Sequence, residues 1–408
     1  MIQTRRPELL CPAGDLTRLR AAVDFGADAV YLAGESFGMR AAAANFSPDA
    51  LREGVAYAHA RGVAVHVTCN TLPHEGEMAD FPAFVRMVAA AGADAVIVAD
   101  LGCMEIVRRE APGLSIHVSV QAGVVNGATA RAFYDLGASR VVLARELSLE
   151  EIAAIRANTP SELELEAFAH GAMCVSVSGR CLLSSYMTGR DANRGDCAQP
   201  CRWSYALMEE KRPGQYFEIG EGKRGSYILN ANDLCMAAHL DRLAAAGVDS
   251  FKLEGRAKSH YYTAVVTAAY RGAVDAYLSD PAHYALPDWV AEELEKISHR
   301  PYSTGFYFGR PAQGQTYPDA GYIRAYTVAG IAEGCRDGLL CFRVKNKFYK
   351  GQVFDCLQPG ERPFLLSCEA LYNAEGEPIE SAPHPEMPVY IPCDRPVRPG
   401  ALLRMKCE

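Results

Sequence analysis

The apolar and polar positions fall into two textures. Up to about residue 254, short apolar runs alternate with longer segments in which Ala, Leu and Arg recur at helical spacing. One string marks the joints. Gly26-Ala27-Asp28-Ala29-Val30 returns as Gly92-Ala93-Asp94-Ala95-Val96, with looser copies beginning at Gly137 and Gly247. Each copy follows a helix-patterned segment and leads into a β-branched or apolar run, so the glycine ends a helix and a buried strand begins. Further strand candidates are 8–11, 64–68, 115–119 and 163–167. About eight strands with helices between them, in roughly 250 residues, predict an α/β fold of the (β/α)8 TIM-barrel type. A doubly wound open sheet is the rival. No Gly-rich dinucleotide fingerprint follows the first strand, where Pro12-Ala13-Gly14-Asp15 reads as a turn and helix N-cap.

The period breaks after Ala167. Residues 170–226 hold four cysteines, many glycines and several arginines, with no steady helix or strand repeat. This segment follows a strand candidate, where a barrel's catalytic face lies, and long loops of this kind are usually functional. The second texture begins near residue 300. After a Gly/aromatic loop at 301–309 come short alternating strands at 338–344, 351–356 and 387–391, with an amphipathic helix at 285–296 before them. The expected organisation is a barrel domain over 1–300, with an inserted Cys-rich loop over 170–235, and a small all-β, barrel-like domain over 311–408.

Composition narrows the class. Apolar residues make up 49% and charged residues 22% of 408, which suits a large packed core and excludes global disorder. No run of about 18 apolar residues predicts a membrane span, and the first residues lack the apolar core of a secretory signal. A cytoplasmic chain is therefore expected, and its 14 cysteines read as free thiols or metal ligands rather than a disulfide framework. The net charge of −8 argues against a chain that coats nucleic acid generally and leaves room for a local basic groove.

Cys174, Cys181, Cys197 and Cys201 crowd into one irregular segment, with Cys235 soon after. Thiolates select zinc or iron–sulfur centres. The spacings are wide, and only Cys197 and Cys201 resemble a zinc knuckle, so an iron–sulfur cluster fits better. The remaining nine cysteines read as small buried apolar residues. A redox dithiol is a weaker alternative, because no C-x-x-C is present.

Around this segment, Glu166 and His170 sit at the end of a strand candidate, where both would reach a barrel mouth for acid/base work or substrate hydrogen bonding, unless they form a buried structural pair. Arg180, Arg190, Arg194 and Arg202 surround the cysteines, and Arg256 and Lys258 follow the last strand candidate. Arginines converging there would bind carboxylates or phosphates, although any one of them can be a plain exposed charge. Other strand ends offer Tyr31, Arg40, Asn70, Gln121, Arg145, Glu146, Asn232 and Asp233 as lining groups. Near the C-terminus, Arg343, Lys345, Lys347, Phe348, Tyr349 and Lys350 interleave cations with aromatics, a pattern that suits RNA or, equally, a solvated strand and turn.

The run from Glu166-Ala-Phe-Ala-His170-Gly-Ala-Met-Cys174 to Gly179-Arg180-Cys181-Leu-Leu-Ser184 resembles the signature of the collagenase-like peptidase family U-32. Supporting matches are Glu8 to Gly14, Gly26 to Tyr31, Asn193-Arg-Gly195, Cys197 to Trp203, Asn232 to Cys235 and Lys252-Leu-Glu-Gly-Arg256. The resemblance covers nearly the whole chain and is stronger to the tRNA hydroxylation branch, which carries a small C-terminal β domain. It implies oxygen-independent formation of 5-hydroxyuridine at the tRNA wobble position, with prephenate as an anionic co-substrate. It also implies a 4Fe–4S cluster on Cys174, Cys181, Cys197 and Cys235, with Cys201 a rival fourth ligand. Glu166, His170 and Arg256 would then be catalytic. Arg180, Lys258, Asn70, Gln121 and Tyr31 would bind the small molecule. Arg190, Arg194, Arg202, Lys345, Lys347 and Phe348 would contact the tRNA anticodon arm. A second family member is a further conceivable partner; no DNA or membrane partner is expected. Related branches hydroxylate ribosomal RNA or a ubiquinone precursor, and the family name suggests a peptidase. Against the last, neither an H-E-x-x-H helix nor a G-x-S-x-G elbow occurs. A non-catalytic, RNA-binding cluster carrier is a third reading.

Overall fold

The computed structural model describes residues 6–39, 45–174, 181–192, 195–203, 207–208, 216–217, 232–309 and 323–407. Eight parallel strands close on themselves: β1 (Glu8–Pro12), β2 (Ala29–Ala33), β3 (Ala64–Cys69), β4 (Ala95–Val98), β5 (Ser115–Val118), β6 (Arg140–Val142), β7 (Glu164–Ala172) and, after a short strand β8 (Asp233–Cys235), β9 (Ser250–Leu253). Strand β9 pairs in parallel with both β1 and β7, which completes the barrel. The expected (β/α)8 alternation is therefore present.

The recurrent string has a double role. Its glycines at 26, 92, 137 and 247 all take positive φ at helix ends, where a side chain would be strained. Its aspartates tie neighbouring strands: Asp28 accepts from the Leu9 backbone N–H at 2.9 Å, Asp94 from Val65 at 2.7 Å and Asp249 from Leu165 at 2.9 Å. At the opposite end of the barrel, Asp15, Ser47, Asp100, Asn126, Ser148 and Ser259 cap the helices that follow β1, β2, β4, β5, β6 and β9, each accepting from a backbone N–H three residues on.

Strand β7 runs five residues beyond the run expected at 163–167. Its far end pairs antiparallel with β8, matching Cys235 to His170 and Asp233 to Ala172. The register against β9 slips between Lys252 and Leu253, so that Phe168 faces Lys252 but His170 faces Leu253. This bulge turns the end of β7 around.

Six antiparallel strands form a curled sheet in the order Phe364–Ser367, Val353–Leu357, Leu402–Lys406, Tyr326–Arg336, Leu339–Val344, Pro388–Pro392. Its core packs Phe342, Phe348 and Phe354 with Leu340, Val389 and Ile391. The sheet joins the barrel through a buried charge cluster: Arg404, fully buried, meets Glu293 and Asp355, and Lys296 reaches the same two carboxylates at 2.7 and 2.5 Å. No helix among the described residues is long and apolar enough to cross a membrane.

Candidate functional site

A cavity of about 180 Å³ opens at the C-terminal ends of the barrel strands. Its walls come from Tyr31 of β2, Thr68 and Asn70 at the end of β3, Ser119 and Gln121 after β5, Arg145 after β6, Phe168 of β7, and Lys252, Glu254 and Arg256 at the end of β9. Cys174, Cys181, Cys197 and Cys201 line the same space. Parallel strands all deliver their C-terminal ends to this face, which is why residues so distant in sequence meet there.

The polar groups are held in place by the barrel. Arg256, buried, donates to Thr68 Oγ1 at 3.2 Å. Arg145 donates to the Ala172 carbonyl at 2.8 Å, and its guanidinium lies 3.8 Å from the Phe168 ring centre. Tyr31 donates its hydroxyl to the Leu253 carbonyl at 2.9 Å. Asn70 accepts from the Met39 backbone N–H at 3.2 Å and faces Ser119 Oγ at 3.4 Å. With Arg145, Lys252 and Arg256 against Glu254, the charged lining is net cationic, and Ile97, Val142, Phe168 and Leu183 add apolar wall beside the neutral polar groups. Such a cavity suits a small anion with an apolar body.

Beneath it lies a charged layer. Lys252 Nζ is 2.6 Å from Glu166 Oε1, and Arg140 meets Glu166 at 3.0 Å, Glu8 at 2.6 Å and Glu164 at 2.7 Å. Burial raises the Glu166 carboxyl, but Lys252 and Arg140 outweigh it and hold the group below the usual carboxylate range. Burial also lowers the Lys252 ammonium, and Glu166 only partly restores it. His66 and His117 cross edge to face at 4.7 Å, and burial lowers both.

These positions correct several expectations. Glu166 is fully buried and does not reach the mouth; the strand's inward alternation places it one layer below Phe168. His170 faces out of the barrel because of the bulge. Its Nδ1 is 3.3 Å from the Tyr270 hydroxyl, its ring contacts Tyr302 and Tyr262, and burial pushes it down to about 3. A neutral imidazole so enclosed is no acid/base group for this cavity. Lys258 does not line the cavity either: the turn from Gly255 sends it over the Tyr262 ring and towards the Ser298 carbonyl at 3.5 Å. Phe348 is fully buried in the sheet core and cannot stack on a base; strand alternation turns Tyr349, half exposed, outward instead. Lys345 pairs with Glu386 at 2.5 Å and Lys350 with Glu380 at 3.2 Å, whereas Lys347 lies over the Tyr349 ring at 4.9 Å. Arg190 pairs with Asp196 at 2.7 Å. Arg40, Arg180, Arg194 and the side chain of Arg202 lie outside the described residues.

Among the thiols, Cys181 accepts from the Leu183 backbone N–H at 3.4 Å and Cys197 from that of Gln199 at 3.3 Å, contacts that suit a sulfur carrying negative charge. Cys235 stands apart from the cavity, 3.8 Å from the Tyr270 hydroxyl. Among the described residues, no three Cys, His, Asp or Glu side chains converge at metal-binding distance. Sequence reasoning missed Lys252, Glu254, Phe168 and Arg140 as site-forming groups. The inward alternation of β7 and β9 was the signal that could have found the first and third.

The profile of peptidase family U32 matches residues 14–317, and that of the peptidase family U32 C-terminal domain matches residues 324–404. A protein of Bacillus subtilis named tRNA hydroxylation protein P1 is 34% identical over 98% of this chain and 95% of its own length. A tRNA hydroxylation protein P of Escherichia coli is 36% identical over 98% of this chain and 97% of its own. An uncharacterised protease of Methanocaldococcus jannaschii is 46% identical, over 74% of this chain and 73% of its own.

Proposed function

The chain belongs to peptidase family U32, and from its likeness to relatives within that family we propose that it is an RNA-modifying enzyme, hydroxylating the wobble uridine of tRNA to 5-hydroxyuridine without molecular oxygen. The observation that carries this reading is the likeness, over almost the full length of both partners, to two proteins named for tRNA hydroxylation. The cavity supports it chemically. Arg145 and Arg256 would hold the carboxylates of an anionic co-substrate such as prephenate, with Tyr31, Phe168 and the apolar part of the wall around its ring. Asn70 and Gln121, at the ends of β3 and β5, would add hydrogen bonds from the same wall.

The thiol set fits an iron–sulfur cluster in donor type. Cys174, Cys181 and Cys197 would hold it, with Cys235 as the fourth ligand by family resemblance or Cys201 by its place in the cavity wall. A bound 4Fe–4S cluster would supply one-electron chemistry at the rim. The peptidase reading finds less support: the cavity thiols have no histidine among the described lining residues, and His170 points away from them.

The test is nucleoside mass spectrometry of tRNA from a deletion strain lacking any paralogue. Loss of 5-hydroxyuridine derivatives is expected. Intact derivatives, together with a lost ribosomal 5-hydroxycytidine or a lost quinone, would reassign the substrate.

A further inference from the structure

Arg145 and Arg256 provide two planar cations for carboxylates, and a third cation of different chemistry lines the same cavity. That third group is Lys252. Its side chain projects inward from β9, buried, with its nitrogen 4.5 Å from the centre of the Tyr31 ring and 5.6 Å from that of Phe168. Phe168 carries Arg145 at 3.8 Å, so the amine and one guanidinium share a ring. Only the amine can form a covalent bond to a carbonyl carbon. Behind it, Glu166 sits at 2.6 Å and is itself fixed by Arg140 at 3.0 Å. A carboxylate so held can take one proton from the ammonium and remain in place to pair with a cation afterwards.

We propose that Lys252 forms an imine with the ketone of a 2-oxo acid whose carboxylates are held by Arg145 and Arg256. This rests on the reading of the cavity as an anionic co-substrate site. The ammonium gives one proton to Glu166, and the nitrogen lone pair forms a bond to the carbonyl carbon. A second nitrogen proton passes to the oxygen. The Glu166 proton then joins that oxygen, the C–O bond breaks and water leaves. The third proton stays on nitrogen, so the product is a protonated imine with the same single positive charge beside Glu166. Nothing is oxidised or reduced. Burial lowers the ammonium and so reduces the cost of exposing the lone pair. The imine makes the keto acid an electron sink, which favours bond cleavage next to the former carbonyl.

Prephenate is the probe. Protein incubated with prephenate and cyanoborohydride, then digested and analysed by mass spectrometry, should gain the mass of prephenate less one oxygen atom at Lys252. Labelling there should exceed that of any exposed lysine by about tenfold or more, as a positioned ketone requires. Chorismate, a dicarboxylate without the ketone, should give no adduct. Lys252→Arg keeps the charge beside Glu166, so it should melt close to the wild type and carry no label. Calorimetry separates the failures. Prephenate that binds without labelling Lys252, or that labels surface lysines equally, overturns the imine alone. Prephenate that does not bind overturns the co-substrate reading and the imine with it.

Discussion

Replacing Arg140 with Met tests the charged layer that supports the cavity. The guanidinium, buried, serves three carboxylates, at 2.6 Å for Glu8, 2.7 Å for Glu164 and 3.0 Å for Glu166. Without it, Lys252 is left to balance the interior carboxylates. Removing one partner from a buried ion pair costs about 3–5 kcal/mol, a range set here by the fully buried Glu166, since Glu8 and Glu164 keep 22% and 34% of their side chains in water. That is a large share of a typical folding free energy of about 5–15 kcal/mol. The pH dependence has a definite sign. Burial raises Glu8 and Glu166, but Arg140, joined by Lys252 at Glu166, brings both below the ordinary carboxyl value. Their stabilisation is thus complete above the unfolded value near about 4.3 and is lost as pH falls through the lowered folded value. In the variant, burial and mutual repulsion raise the folded values instead, so protonation relieves the penalty. Urea unfolding followed by circular dichroism should show a gap between variant and wild type that narrows from about pH 7.5 to about pH 5.5. A loss below about 1 kcal/mol, typical of exposed pairs, or a gap that does not change with pH, would refute the reasoning.

His170 is held down to about 3 by burial, so wild-type stability should fall as pH drops below the unfolded value near about 6.5, by up to about 1.4 kcal/mol per pH unit from this group. His170→Asn should flatten that part of the profile, and an unchanged slope would count against it. Phe348→Ala should cost about 3–5 kcal/mol in unfolding experiments, whereas Tyr349→Ala, on the exposed face, should stay within about 0.5 kcal/mol. Arg256→Ala should weaken prephenate binding about tenfold or more by calorimetry, the value of one lost charged hydrogen bond; equal affinity would remove Arg256 from the site. Cys181→Ala should lose iron and acid-labile sulfide after anaerobic purification while keeping its circular dichroism spectrum. The same iron assay on Cys201→Ser and Cys235→Ser identifies the fourth ligand as the one whose loss removes the metal.

The barrel was legible because its signal repeats. Four glycines at helix ends, each followed by an apolar run, show periodicity and turn chemistry agreeing along the chain. The site was legible only in part, because facing depends on register. Glu166 and His170 are four residues apart and would share a face in a regular strand, but one bulge at the Lys252/Leu253 step separates them. No local pattern announces such a bulge. Phe348 was misplaced for a related reason: within a two-residue strand, nothing in the sequence says which of Phe348 and Tyr349 turns inward. Lys252 and Arg140 are not legible as site residues, because single charged residues in apolar strands look like edge positions until the closed barrel brings their carboxylate partners together from β1 and β7.

The most direct measurement is complementation of the deletion strain, with 5-hydroxyuridine-derived nucleosides quantified in purified tRNA. Wild-type chain should restore them. Arg256→Ala, altered inside the cavity, should not, although it accumulates to the same level. Arg190→Ala, altered at an exposed ion pair outside the cavity, should restore at least part of the modification. Full restoration by Arg256→Ala, or no restoration by the wild type, would contradict the assignment of RNA hydroxylation to this cavity.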